Sequence, residues 1–90
     1  MKWKFKYSKK AEKQCLKFEQ GTQDRIDEKI KEMVGYYNNK EVPRPDIKKL
    51  KGKYEGLYRL RIGDYRVIYK MNSKRRVIII LLIRKRKDAY

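Results

Sequence analysis

Histidine is absent from this 90-residue chain, cysteine occurs once and proline twice. Without histidine the chain lacks the usual proton-transfer group near neutral pH, the Ser–His and Cys–His nucleophile pairs, and the commonest zinc ligand. A lone Cys15 excludes an internal disulfide and fits a reducing interior. Its apolar spacing on a helix reads as a half-buried small hydrophobe. No metal and no small-molecule cofactor is expected. Long apolar runs are also missing: the longest, Val77 to Ile83, is too short to span a bilayer. The opening MKWKFKYSKK alternates lysine with aromatics where a signal peptide would carry an apolar stretch. A cytoplasmic protein with no membrane partner is the expectation. Acidic residues are scarce, with 11 Asp and Glu against 27 Lys and Arg, a net charge of +16. Such an excess opposes compaction and favours a polyanionic partner, nucleic acid or an acidic protein.

What remains is enough for one domain, residues 1–90. Lys2 to Tyr7 alternates charge with Trp3, Phe5 and Tyr7, a half-buried strand. Ser8 suits a helix N-cap, and Ala11, Cys15, Leu16 and Phe18 form a helical stripe that Gly21 should end. Thr22 is placed to cap a second helix carrying Ile26, Ile30, Met33, Val34 and Tyr37. Periodicity stops from Asn38 to Asp46, a loop with Pro43 and Pro45, and Lys48 to Lys53 reads as a solvated continuation. Leu57 to Ile62 and Tyr65 to Met71 alternate as strands around a Gly63-Asp64 turn. Val77 to Ile83 has the continuous apolar character of a central strand covered on both faces. The expected fold class is α+β: an N-terminal strand, a two-helix antiparallel hairpin, then a three-strand antiparallel meander, with the helices on one sheet face.

Alternation then sorts the charges. Arg59 and Arg61 point away from Tyr58, Leu60 and Ile62, and Arg66 points away from Tyr65, Val67 and Tyr69. If the helices cover the apolar side, these arginines gather on the open side, within reach of Arg84 and Arg86. Guanidinium groups so grouped grip phosphate by forked, charge-assisted bonds. Arginines on an exposed strand also serve as solvated, edge-protecting charges, and basic tails often act as plain anion-binding arms. Tyr90 is able to stack on an unpaired base.

These same segments carry a family resemblance. Lys49-Leu50-Lys51-Gly52, Tyr58-Arg59-Leu60-Arg61 and Gly63-Asp64-Tyr65-Arg66-Val67-Ile68-Tyr69 resemble the RelE/ParE toxin superfamily, closest to archaeal-type RelE. The basic, tyrosine-bearing end Arg84-Lys85-Arg86-Lys87-Asp88-Ala89-Tyr90 is similar to that family's C-terminus. The resemblance implies a ribosome-dependent endoribonuclease that cuts mRNA in the A site, neutralised by a cognate acidic antitoxin. It implies an active site of Arg59, Arg61, Arg66, Arg84 and Tyr90. Lys49, Lys51, Lys53, Lys85, Arg86 and Lys87 are expected to add RNA contacts. RelE-type enzymes often carry lysine where this chain has Arg59 and Arg61, and arginine does not deprotonate to act as a base. Two other readings share the composition: a ParE-like gyrase poison that cuts no RNA, and a basic RNA-binding accessory protein.

Overall fold

The computed structural model describes residues 2–86. Strand β1 (Lys4–Tyr7) leads into helices α1 (Lys9–Leu16) and α2 (Gln20–Asn38), followed by β2 (Ile47–Lys49), a 3-10 turn (Gly52–Tyr54), β3 (Tyr58–Ile62), β4 (Tyr65–Asn72) and β5 (Val77–Lys85). Five strands form one sheet in the order β1-β5-β4-β3-β2. Neighbours from β2 to β5 run antiparallel, whereas β1 lies parallel to β5. The sheet is therefore mixed and one strand larger than the meander plus N-terminal strand expected from sequence. The extra strand, β2, is three residues long between Asp46 and Leu50, too short to show an alternation.

The alternating start packs as expected: Trp3, Phe5 and Tyr7 are half-buried against the core, with Lys4 and Lys6 exposed. Ser8 caps α1, its hydroxyl accepting from the Ala11 amide at 3.0 Å. The helix boundary differs from the expectation. Gly21 and Thr22 sit inside the first turn of α2, and the break falls earlier, at Lys17 and Phe18. Tertiary packing sets it: the Phe18 ring meets Tyr65 edge-on at 5.0 Å, and the Gln23 side chain donates to the Phe18 carbonyl at 2.9 Å. That anchor turns the chain before glycine is needed.

Ile26, Ile30, Met33 and Val34 of α2 and Ala11 of α1 pack on Leu60, Ile62, Val67, Tyr69, Ile78, Ile80 and Ile83 of the sheet. Tyr69 is fully buried, stacked on Tyr58 at 5.5 Å and hydrogen-bonded through its hydroxyl to that of Tyr37 at 2.8 Å. Strand β5 is interior but not covered on both faces. Ile78, Ile80 and Ile83 are buried, whereas Val77, Ile79, Leu81 and Leu82 are only partly so. The helical hairpin shields one side of the sheet and leaves an apolar stripe on the other.

Candidate functional site: an arginine row on the uncovered sheet face

Register, not side-chain pairing, builds this site. Arg61 of β3 stands directly opposite Arg66 of β4, and Arg66 directly opposite Arg84 of β5. Three guanidinium-bearing positions thus form one row across three adjacent strands. With about 4.8 Å between strands, the row spans on the order of 10 Å. Like charges placed directly opposite destabilise a sheet, so this alignment of charges costs the fold stability.

Arg84 reaches this face because of a bulge. Ile68 pairs with Leu82, yet the next residue, Tyr69, pairs with Ile80, leaving Leu81 as the extra residue in β5. Counting by twos from Ile78 and Ile80 would send Leu82 and Arg84 toward the helices. The bulge reverses the phase, so Ile83 joins the core and Arg84 joins the row. Parallel pairing with β1 ends at Tyr7 and Ile80, and α1 supplies the bonds beyond it. The Ser8 hydroxyl donates to the Leu81 carbonyl at 3.1 Å, and the Gln14 side chain accepts from the Ile83 amide at 2.8 Å. One serine therefore caps α1 and pins the bulge.

The β3–β4 turn fixes the other end. Gly63 has φ 55°, and no positive φ occurs at Asp64, the backbone pattern of a type II′ hairpin. The Arg66 guanidinium donates to the carbonyls of Gly63 at 3.0 Å and Tyr65 at 3.1 Å. The Arg86 amide closes onto the Asp64 carbonyl at 2.6 Å, tying the end of β5 to the same turn.

The remaining expected residues divide. Arg59 lies on the open face, but its guanidinium is engaged by Asp46 at 2.7 Å and its side chain is only 17% exposed, with Nε buried and unbonded. Lys85 pairs with Tyr65, opposite in phase to Arg84, so it faces the helix side, where it joins Phe18 and Gln14 around a cleft. Lys49 and Lys51 are exposed at the β2 end, and the Lys53 ammonium sits 5.4 Å over the Tyr54 ring. Lys87 and Tyr90 lie outside the described residues. Sequence reasoning read Lys48, which pairs with Arg59 in β2, only as part of a solvated loop, and passed over the row Lys6–Ile79–Lys70. Alternation could have found Lys6 and Lys70. Lys48 needed the existence of β2.

The chemistry available is cationic. No group of three or more metal-ligating residues occurs among the described residues. Cys15 is no thiolate nucleophile: burial, aided by the nearby Asp27 charge, pushes its thiol up. Burial likewise raises Tyr7, Tyr37 and Tyr69, keeping these phenols neutral. The row can hold a phosphate and absorb negative charge that develops on it. No described helix is long and apolar enough to cross a membrane.

Fold and face together define a class: a small basic α+β protein with a row of arginines on an uncovered sheet face. A family model described as the ParE toxin of the type II toxin–antitoxin system parDE matches residues 5–90. Over 64 residues the chain is 42% identical to a candidate toxin RelE1 of Methanocaldococcus jannaschii, covering 69% of this chain and 70% of that one. A chain of the archaeal RelE–RelB complex from Pyrococcus horikoshii matches with a TM-score of 0.73 at 35% identity, covering 99% of this chain and 100% of its own. One from the RelB–RelE antitoxin–toxin complex of Methanococcus jannaschii matches at 0.63 and 31%, over 91% of both. The chain belongs to the RelE/ParE family and is a RelE-family toxin of a type II toxin–antitoxin system.

Proposed function

We propose that this toxin is a ribosome-dependent endoribonuclease that cuts mRNA in the A site, and the cross-strand row Arg61–Arg66–Arg84 is the observation that carries the reading. RNA brings its own nucleophile. The 2′-oxygen attacks the adjacent phosphorus, the new P–O2′ bond forms as the P–O5′ bond breaks, and the products are a 2′,3′-cyclic phosphate and a 5′-hydroxyl. The proton lost from the 2′-hydroxyl passes to solvent, and the departing 5′-oxygen gains one from solvent. Arg61 and Arg66 clamp the scissile phosphate and stabilise the phosphorane, and Arg84 stabilises the leaving oxygen. Tyr90 orders the nucleotide. Arg59, held by Asp46, takes the neighbouring phosphate with whatever donors that carboxylate leaves free. Lys49, Lys51, Lys53, Lys85, Arg86 and Lys87 add to the attracting field, and the ribosome supplies the alignment that a chain without histidine does not.

The same face is the reading for the antitoxin. RelE–RelB and RelB–RelE complexes among the relatives support a cognate partner. The half-buried stripe of Val77, Ile79 and Leu82 beside Lys6, Lys70 and Arg66 suits an acidic, amphipathic segment. Such a segment would cover the row and silence it.

The test is mRNA cleavage on ribosomes in reconstituted translation. Arg66→Ala and Arg84→Ala should each lower the rate by about 100-fold or more; wild-type rates in both would sink the assignment. The ParE description of the matching family model favours one competing reading, a gyrase poison. Double-strand DNA breaks with intact mRNA after expression would establish it instead.

A further inference from the structure

A second cationic site lies around the edge of β3. Strand β2 stops opposite Leu60, so beyond that point the β3 edge is open apart from one bond, Arg61 amide to Asp46 carbonyl at 2.9 Å. There a cleft of about 310 Å³ opens between α2 and the hairpin turn, lined by Arg25, Lys29, Arg61 and Gly63 along with Glu32 and Asp46. The two carboxylates are already committed: Glu32 meets Lys29 at 3.5 Å and Asp46 meets Arg59 at 2.7 Å. Arg25 and Arg61 have no carboxylate at ion-pair distance among the described residues.

Arg25 is seated with some care. A Cβ placed on Gly63 would lie 3.0 Å from Nη2, 3.4 Å from Nη1 and 3.5 Å from Cζ of Arg25. These distances bring the Nη end of the guanidinium in close over the turn, where an added side chain on the glycine would crowd it. The turn is thus held by Arg66 through its carbonyls and covered by Arg25 through its α-carbon. Arg61 belongs to both settings, being a member of the row and a wall of the cleft.

We propose that Arg25 and Arg61 form a second phosphate subsite, holding the RNA backbone phosphate next to the one bound over the arginine row. This rests on the proposed RNA-cleaving function. A strand leaving the row past Arg61 meets Arg25 at the sheet edge. The ligand is single-stranded RNA backbone, because the subsite continues a row already suited to phosphate and offers a protein segment little apolar surface: Leu60 and Ile62 are buried and only Pro45 is partly exposed.

The test is binding of a single-stranded RNA oligonucleotide, its 2′-hydroxyl at the cut position replaced by hydrogen, followed by fluorescence anisotropy across 50–300 mM salt. Arg25→Ala should weaken binding on the order of 10-fold at low salt and reduce the salt slope by about 0.7, the loss of one phosphate contact. Arg25→Gln should do the same, and Arg25→Lys should restore the slope but only part of the affinity. Lys10→Ala, the same charge change on exposed α1, should leave both unchanged. If Arg25→Ala and Arg25→Gln, folded by thermal melting, bind as wild type while Arg66→Ala binds weakly, the subsite is wrong and the row stands. If Arg66→Ala also binds as wild type, the RNA reading itself fails. An effect of Lys10→Ala equal to that of Arg25→Ala would reduce the subsite to bulk charge. A loss confined to an acidic peptide, with RNA binding intact, would assign the cleft to a protein partner and overturn the proposal.

Discussion

The two faces of this sheet are made by the same strands and obey opposite rules. On the helix side Leu60, Ile62, Val67, Ile78, Ile80 and Ile83 are each no more than 3% exposed, and no charged residue is buried among them. On the open side Arg61, Arg66 and Arg84 line up charge against charge, beside an apolar stripe in which Ile68 is 2% exposed. The row's backbone positions are fixed because alternate residues are packed behind it, so the apolar face supplies geometry that the cationic face uses, and Arg66 adds its own bonds to the turn carbonyls. The helix-side parity is thus wholly given to packing, while the open-side parity carries the cationic row together with Ile68, which is itself buried.

The sharpest way to break that division is to exchange one residue of each parity. Exchanging Ile83 and Arg84 (I83R/R84I) keeps composition and charge, turns a guanidinium toward Val67 and the helices, and takes one from the row. An unpaired guanidinium forced into that interior costs about 3–5 kcal/mol, a large part of what a 90-residue domain has. Chemical denaturation should show the variant unfolded or barely folded, with mRNA cleavage lost. Leu81→Ala, at the bulge residue itself, should retain both fold and cleavage. Equal stability of the exchange and the wild type would mean that parity at Ile83 and Arg84 does not separate core from row.

How much of this was legible beforehand follows from the same parity argument. Alternation in Leu57–Ile62 and Tyr65–Met71 was enough to put Arg59, Arg61 and Arg66 on one side, and the register agrees. Arg84 was harder, because an unbroken apolar run such as Val77–Ile83 hides a bulge: every residue in it looks suited to either face. The bulge is set by Ser8 and Gln14, whose partners Leu81 and Ile83 lie about 70 positions away. The engagement of Arg59 by Asp46 was equally invisible, since it depends on β2, a three-residue strand without its own pattern. Gly21 and Thr22 misled because a packing contact, Phe18 on Tyr65, outweighed a local turn signal. Arg25 gave no signal at all: its place against Gly63 arises only when α2 crosses the hairpin.

High pH gives a milder way to probe the packed face alone. Tyr69 is raised well above the ordinary tyrosine range, first by burial and then by its bond with the Tyr37 hydroxyl. Its native form stays neutral when the unfolded phenol, near pH 10, begins to ionise. This contribution is complete below pH 10 and falls as pH rises above it, by up to about 1.4 kcal/mol per pH unit. Tyr69→Phe should cost about 1 kcal/mol at pH 8 through the lost hydroxyl bond. By pH 11 the wild type should have lost that lead in urea titrations. A gap that stays constant from pH 8 to 11 would show that the buried phenol does not resist ionisation.

The smallest expected effect tests the cationic face, and its sign is the informative part. Arg61 sits directly opposite Arg66, and facing like charges on a strand pair cost a few tenths to about 1 kcal/mol. Arg61 makes no ion pair among the described residues that its removal would break. Arg61→Gln should therefore raise stability by a few tenths of a kcal/mol in low salt, while cleavage of ribosome-bound mRNA falls. Salt separates this from a packing gain: at 1 M the screening length drops to about 3 Å and the stabilisation should vanish. Loss of stability on Arg61→Gln would mean that the guanidinium contributes to the fold. Arg61 would then join Arg66, which bonds the turn carbonyls, as an open-face residue that also supports the structure displaying it.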